Sequence, residues 1–347
     1  MLTTTMQIPL AEDLKRTNSV AAKTILVTGA TGFIGSWVAR ALAEEGATVR
    51  VLVRTPAQAE AQAERGFVPV LGDLGTVGED ALSAAVTGCQ RVVHCAAWTG
   101  EAAQADQGWA INVDGARRLV DVAAQAGVAR FLFVSSVAVY GLNAAPVIDE
   151  SAPLAPVGQL YPDSKIAAEE VVRTGGVPWT IVRPASTFGP GGSAWSLRPI
   201  ELIRANRLRL LGRDDGLVNP GYIENFVPGL LAALSAPQAE GEIFNLCDGY
   251  TVTYRDWYLR HARMVGRDRL PSLPGAVLLL ARTPLADLAR RLLGRPAIGP
   301  WSVHFRRNPS RFSIDKARRL LAYDPRIDFE TAMQRTESWL RVAGHVL

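Results

Sequence analysis

Thr24-Ile25-Leu26-Val27-Thr28 runs into Gly29-Ala30-Thr31-Gly32-Phe33-Ile34-Gly35, and this junction decides the fold. Residues 24–28 are apolar and β-branched, the composition of a strand buried on both faces of a parallel sheet. Glycines follow at 29, 32 and 35, and Ile34, Val38 and Leu42 then recur at helical spacing. The first glycine permits a tight turn, the second lets backbone approach a pyrophosphate, and the third lets the helix lie close to the sheet. The amino end of the helix then faces the phosphates with unbonded N–H groups. Strand and helix flank the glycines as a dinucleotide site requires.

The next strand reads Thr48-Val49-Arg50-Val51-Leu52-Val53, followed by Arg54. A carboxylate at this strand end would hold the ribose 2′-hydroxyl of NAD. An arginine suits a 2′-phosphate, since guanidinium pairs with phosphate through two parallel hydrogen bonds. NADP(H) is therefore expected over NAD(H). The competing reading is an ordinary solvated arginine.

Tyr161 and Lys165 stand four residues apart in Tyr161-Pro162-Asp163-Ser164-Lys165. If residues 162–172 are helical, with Pro162 at the first helical position, the phenol and the ammonium share a face. An ammonium nearby favours the phenolate and moves a phenol toward the working range of an acid–base catalyst. Alone, the spacing also suits any amphipathic helix. The chain has 37 basic residues, yet its lysines are Lys15, Lys23, Lys165 and Lys316, so a lysine here is notable. Upstream, the apolar run 131–134 ends in Ser135-Ser136. A serine at the carboxyl end of a parallel strand faces the ligand crevice and can hold a substrate oxygen beside Tyr161. The plainer reading is turn chemistry.

With these residues in place, the chain resembles an extended short-chain dehydrogenase/reductase, and within that group the 3β-hydroxysteroid dehydrogenase-like branch. The resemblance spans about residues 23–343. It rests on TGATGFIG (28–35), GDL (72–74), VVHCAA (92–97), INVDGARRLVDVA (111–123), FVSSVAVYG (133–141), YPDSK (161–165), VRPASTFGPG (182–191), YIENF (222–226) and SIDKARRLLAYDP (313–325). It implies that Ser136 orients the substrate oxygen and Tyr161 is the general acid/base. Lys165 would hold the nicotinamide ribose and lower the tyrosine pKa. Gly29, Thr31, Gly32, Phe33, Ile34, Gly35, Asp73, Leu74, Ala96, Ala97, Asn112 and Pro184 would line the dinucleotide. A homodimer is expected. Asn225 in Ile223-Glu224-Asn225 departs from the pattern of sugar-nucleotide enzymes. Val137-Ala138 after Ser136 supplies no acid for a dehydratase.

The expected fold class is α/β: a Rossmann-type doubly wound parallel sheet with a smaller C-terminal substrate-binding cap. Residues 1–22 read as a flexible tail. Residues 23–185 read as the nucleotide-binding domain, with 217–250 returning to it, and 186–216 and 251–347 mainly as the cap. Trp195, Trp257, Tyr258, Trp301 and Phe305 either line an apolar pocket or form plain core. Three cysteines at 48% hydrophobic content give no disulfide framework and no metal spacing, which points to the cytoplasm. His94 beside Cys95 reads as a packed strand histidine, because adjacent strand residues face opposite ways.

The net charge is +4. The arginines lack interleaved aromatics, so no nucleic-acid partner is expected. The segment 276–293 reads as a cap helix over the site, in preference to a membrane-surface helix. The expected activity is exchange of a ketone and a secondary alcohol on an apolar substrate. One alternative is a sugar-nucleotide epimerase or dehydratase with tightly held NAD. Another is a non-catalytic NADP(H) sensor.

Overall fold

The computed structural model describes residues 20–76, 78–100, 105–212, 216–273 and 305–346. Most of the expected tail, the 276–293 segment and Trp301 lie outside the described residues.

Seven strands build one parallel sheet: β1 Thr24–Thr28, β2 Thr48–Val53, β3 Val68–Leu71, β4 Arg91–His94, β5 Arg130–Val134, β6 Trp179–Pro184 and β7 Glu242–Leu246. Their spatial order is β7-β6-β5-β4-β1-β2-β3. The chain winds outward from β1 to β3, returns to β4, and winds the other way. The direction therefore reverses between β1 and β4, where Thr28 lies opposite His94. Open sheets of this kind bind ligands outside the carboxyl ends of the strands at that reversal.

Alternation along each strand feeds two cores, one on each face. Ile25 and Val27 join Leu132 and Val134 of β5 in one core, with Val38 and Leu42 of α1 (Phe33–Glu44). Leu26 joins Phe131 and Phe133 in the other. Each fully buried aliphatic side chain contributes about 1.5–3 kcal/mol, so both faces of β1 are apolar for a reason. Helix α2 (Pro56–Ala63) follows β2, and Thr55 caps it by accepting from the Gln58 N–H. Helix α3 (Glu79–Val86) covers the second face. So does the run of α4 (Ala105–Trp109), a π-helical turn (Ala110–Asp114) and α5 (Gly115–Gln125).

Helix α6 (Leu160–Thr174) carries Tyr161 and Lys165. It begins two residues earlier than the sequence suggested, so Pro162 is its third residue and not its first. The first four N–H groups of a helix have no partner inside it, so proline is tolerated there too. The Asp163 carboxylate accepts from the Val157 N–H at 2.8 Å and fixes how the chain approaches this helix.

Beyond β6 the chain leaves the sheet through α7 (Arg198–Arg204) and comes back as α8 (Ile223–Ser235). Ser186–Phe188 pairs in parallel with Pro220–Tyr222 beside it. Helix α9 (Tyr254–Met264) packs its Ala262 against Ile203 of α7. Helices α10 (Asp315–Leu321) and α11 (Phe329–Val342) close the described chain.

Candidate active site

The glycine loop is as tight as its sequence implies. Gly29 has φ +72° and lies so close to the end of β4 that a Cβ would sit 2.7 Å from the Ala96 nitrogen. A Cβ on Gly35 would sit 2.2 Å from the Gly29 carbonyl oxygen. Gly32 is the N-cap of α1, supplies no side-chain cap, and has no acidic residue in the turn after it. Thr31 and Gly32 are exposed, while Phe33 and Ile34 are half-buried. An uncapped helix amino end without a nearby carboxylate fits a pyrophosphate. The Gly189–Gly192 loop lies over this end. The Trp37 indole donates to the Pro190 carbonyl at 3.0 Å, and a Cβ on Gly192 would sit 3.2 Å from the Phe33 ring.

The end of β4 is held from two sides. His94 is fully buried, shares a 2.6 Å hydrogen bond with the Thr28 hydroxyl and stacks on Phe133. The Thr28 oxygen also accepts from the Ala96 N–H. Burial, then the charge of Lys165, lowers the His94 pKa to about 3, so the ring is neutral. Burial pushes the Cys95 thiol up to about 12 against the pull of Lys165. The two are not a nucleophile pair, and His94 is the packed strand histidine that alternation implied. Ala96 and Ala97 are half-buried beside the glycine loop. Asn112, buried on the π-helical turn, accepts from the Trp98 N–H and donates to the Trp98 carbonyl and to Ser164. Such widened turns are frequent at functional sites.

Ser136 meets Tyr161 just past the end of β5, and Lys165 reaches the last carbonyl of that strand. The Ser136 hydroxyl hydrogen-bonds the Tyr161 phenol. Burial raises the Tyr161 pKa and this bond draws it part of the way back. The Lys165 ammonium donates to the Val134 carbonyl at 2.8 Å and lies 4.6 Å above the Phe133 ring. Burial lowers its pKa to about 8, with Cys95 and Glu169 opposing that fall. Of the two groups expected to act on the phenol, Ser136 is the one that does so here.

The remaining candidates flank this centre. Arg54 is exposed at the end of β2, its backbone N–H bonded to the Gln58 side chain. The Gly72 N–H donates to the Val53 carbonyl, which brings Asp73 beside Arg54. The Asp73 carboxylate is bonded to the Gly75 N–H at 2.8 Å. The Leu74 side chain is core. Pro184 is buried at the end of β6.

A buried polar chain escaped the sequence reading. Glu169, on α6, receives the Ser135 hydroxyl and a two-pronged Arg183 guanidinium, and Arg183 also meets the Tyr140 phenol. The signal was present: a charged residue inside the apolar strand 179–184 demands a buried partner. Among the five aromatics singled out, Trp257 is fully buried core, while Trp195, Tyr258 and Phe305 are half-buried around it. Among the described residues, no group of three or more His, Cys, Asp and Glu is placed to hold a metal ion. No helix there is long and apolar enough to cross a membrane.

Residues 25–247 match the model of the NAD dependent epimerase/dehydratase family. The chain belongs to that family. Within it, the chain is 28% identical over 331 residues to 3-beta-hydroxysteroid dehydrogenase of Mycolicibacterium neoaurum, covering 89% of each. It is 29% identical over 345 residues to 4-hydroxy-2-methyl-3-oxo-4-farnesyl-3,4-dihydroquinoline-1-oxide ketoreductase of Stigmatella aurantiaca, covering 92% of this chain and 96% of that one. A short-chain dehydrogenase/reductase superfamily protein of Agrobacterium tumefaciens with bound NAD superposes with a TM-score of 0.69 at 25% identity, covering 92% of this chain and 98% of that one. The family and these relatives bear out the extended short-chain dehydrogenase/reductase assignment and its steroid-dehydrogenase-like branch. The chain is a nicotinamide-dependent oxidoreductase of that family.

Proposed function

We propose that this chain interconverts a ketone and a secondary alcohol on an apolar substrate, with NADP(H) as its preferred cofactor. The observation that carries the proposal is the Ser136–Tyr161 hydrogen bond, with the Lys165 ammonium one turn further along the same helix. A buried phenol with a raised pKa is protonated near neutrality, as the acid of a carbonyl reduction must be. Ser136 holds the substrate oxygen, and Tyr161 delivers its proton to that oxygen. Lys165, with a pKa of about 8, is charged at neutral pH and is the cation available to the nicotinamide ribose when the nucleotide binds. The nicotinamide, when bound, supplies or accepts the hydride.

The apolar substrate class draws support from the steroid and farnesylated quinoline in the names of the two relatives. Val137 is buried and neither it nor Ala138 is an acid, so nothing next to Ser136 serves an elimination. The NADP(H) preference rests on Arg54, exposed where a carboxylate would serve NAD(H).

The test is a panel of apolar ketones with NADPH and NADH, run on the wild type and on Tyr161→Phe. Tyr161→Phe is expected to lose at least a hundredfold in kcat while nucleotide affinity stays within twofold, since proton transfer contributes about 10²–10⁴-fold. Near-wild-type turnover in that variant overturns the mechanism. Nucleotide that neither exchanges nor dissociates redirects the search to sugar nucleotides.

A further inference from the structure

We infer that Glu169 is a positioning residue for this site: its buried carboxylate ties the catalytic helix to the end of β5 through Ser135 and to β6 through Arg183, and it does so one helical turn from the Lys165 ammonium, whose charge it supports. The second half rests on the proposed function only in calling Lys165 functional.

Glu169 is one turn beyond Lys165 and two beyond Tyr161 on α6, so all three share a face. Its carboxylate is 1% exposed. One oxygen accepts from the Ser135 hydroxyl at 2.5 Å and from the Arg183 Nε at 2.9 Å, and the other from the Arg183 Nη2 at 2.6 Å. Ser135 is the residue before Ser136, and Arg183 the residue before Pro184. One carboxylate thus connects the ends of β5 and β6 to the helix that carries the phenol and the ammonium.

The chain of bonds goes on. Arg183 Nη1 donates to the Tyr140 phenol at 2.9 Å, and that phenol donates to Asn245 of β7 at 2.7 Å. Tyr140 follows Ser136 at the far end of the 3₁₀ turn Val137–Tyr140. The turn that presents the serine is therefore fastened at both ends to the same ion pair.

The charges around Lys165 are few. From β4 it faces the Cys95 thiol and the neutral His94 ring. From its own helix it feels Glu169, and from the end of β5 it meets the Val134 carbonyl. Burial makes a bare ammonium costly here. Cys95 and then Glu169 oppose that cost, and Glu169 is the carboxylate of the two.

The four lysines of the chain make a direct test practicable. Protein labelled with ¹³C at the lysine ε-carbon gives one resonance per lysine, and Lys165→Arg assigns the one of interest. In the wild type the Lys165 resonance is expected to titrate near 8. In Glu169→Gln the midpoint is expected to fall by about one pH unit, while Glu169→Asp, which keeps the charge, restores it. An unchanged midpoint in Glu169→Gln overturns the inference, because a merely structural role moves stability and not this titration. If Glu169→Gln does not fold, the neutral pair Glu169→Gln/Arg183→Met removes the orphaned arginine and is read in the same way. In turnover, the high-pH limb of kcat/KM is expected to move down with the midpoint. If Tyr161→Phe keeps its activity, the functional reading fails while the lysine titration still decides the role of Glu169.

Discussion

The Asn112 amide donates to the Ser164 hydroxyl at 2.9 Å, joining the π-helical turn to the helix that carries Tyr161. Ser164 passes the link on by donating to the Tyr161 carbonyl at 3.0 Å. The other contacts of Asn112, to both backbone groups of Trp98, hold the loop after β4. Replacement by leucine leaves both part-buried backbone groups of Trp98 without this partner and removes the link to Ser164. Asn112→Leu is expected to lower stability by about 1–3 kcal/mol and to weaken nucleotide binding. Urea denaturation and nucleotide titration of the same preparation measure both.

Arg54 makes a separable claim. Arg54→Ala is expected to weaken NADPH binding by about tenfold and leave NADH within twofold, since a hydrogen bond to a charged group is worth about 1.5–3 kcal/mol. The difference should shrink in high salt, because Arg54 is exposed and screened. Equal loss for both nucleotides returns Arg54 to the status of a surface arginine.

Gly35→Ala puts a methyl group where 2.2 Å separates it from the Gly29 oxygen. The helix or the loop must move. The expected cost is about 1–3 kcal/mol of stability together with a clear loss of nucleotide affinity. Gly78→Ala is the control, because a Cβ there meets nothing within 4 Å. A variant at 35 that behaves like the one at 78 contradicts the geometry of the loop.

Two buried histidines shape the acid side of stability. Burial, the first cause for each, lowers His94 to about 3 and His261 to about 4, from 6.5. A base with a depressed folded pKa binds protons preferentially when unfolded. Its contribution is therefore intact above about pH 6.5 and declines as pH falls toward 3–4. Asp248 acts in the opposite sense, since burial raises it to about 7 and its stabilisation is lost as pH rises through that value. The informative quantity is the slope of unfolding free energy between pH 7 and 5. His94→Gln is expected to flatten it relative to wild type, whatever constant penalty the substitution adds. An unchanged slope means that His94 is not held neutral.

Strands were the most legible part of this chain. Residues 24–28, 48–53 and 242–246 stood out because a strand buried on both faces is mostly apolar and β-branched along its middle. The glycine loop was legible for a related reason, since close backbone approach leaves glycine no substitute. The start of α6 was off by two residues, because its first turn makes no demand that excludes proline. The π-helical turn at Ala110–Asp114 leaves no periodic trace over five residues. The bond from Lys165 to Val134 and the pairing of Glu169 with Arg183 depend on which strand lies under which helix. The contact of Ser164 with Asn112 likewise depends on the packing of α6 against the π-helical turn.

The hydrogen bond from Trp37 to Pro190 crosses from α1 to the loop that follows Ser186–Phe188. It spans 153 residues of chain, so the polypeptide between them returns to within one bond of where it left. Any movement of that loop away from the sheet must break that bond or carry α1 with it. Seven other tryptophans also emit, so the difference in emission between the wild type and Trp37→Phe is what reports whether that loop stays seated on α1.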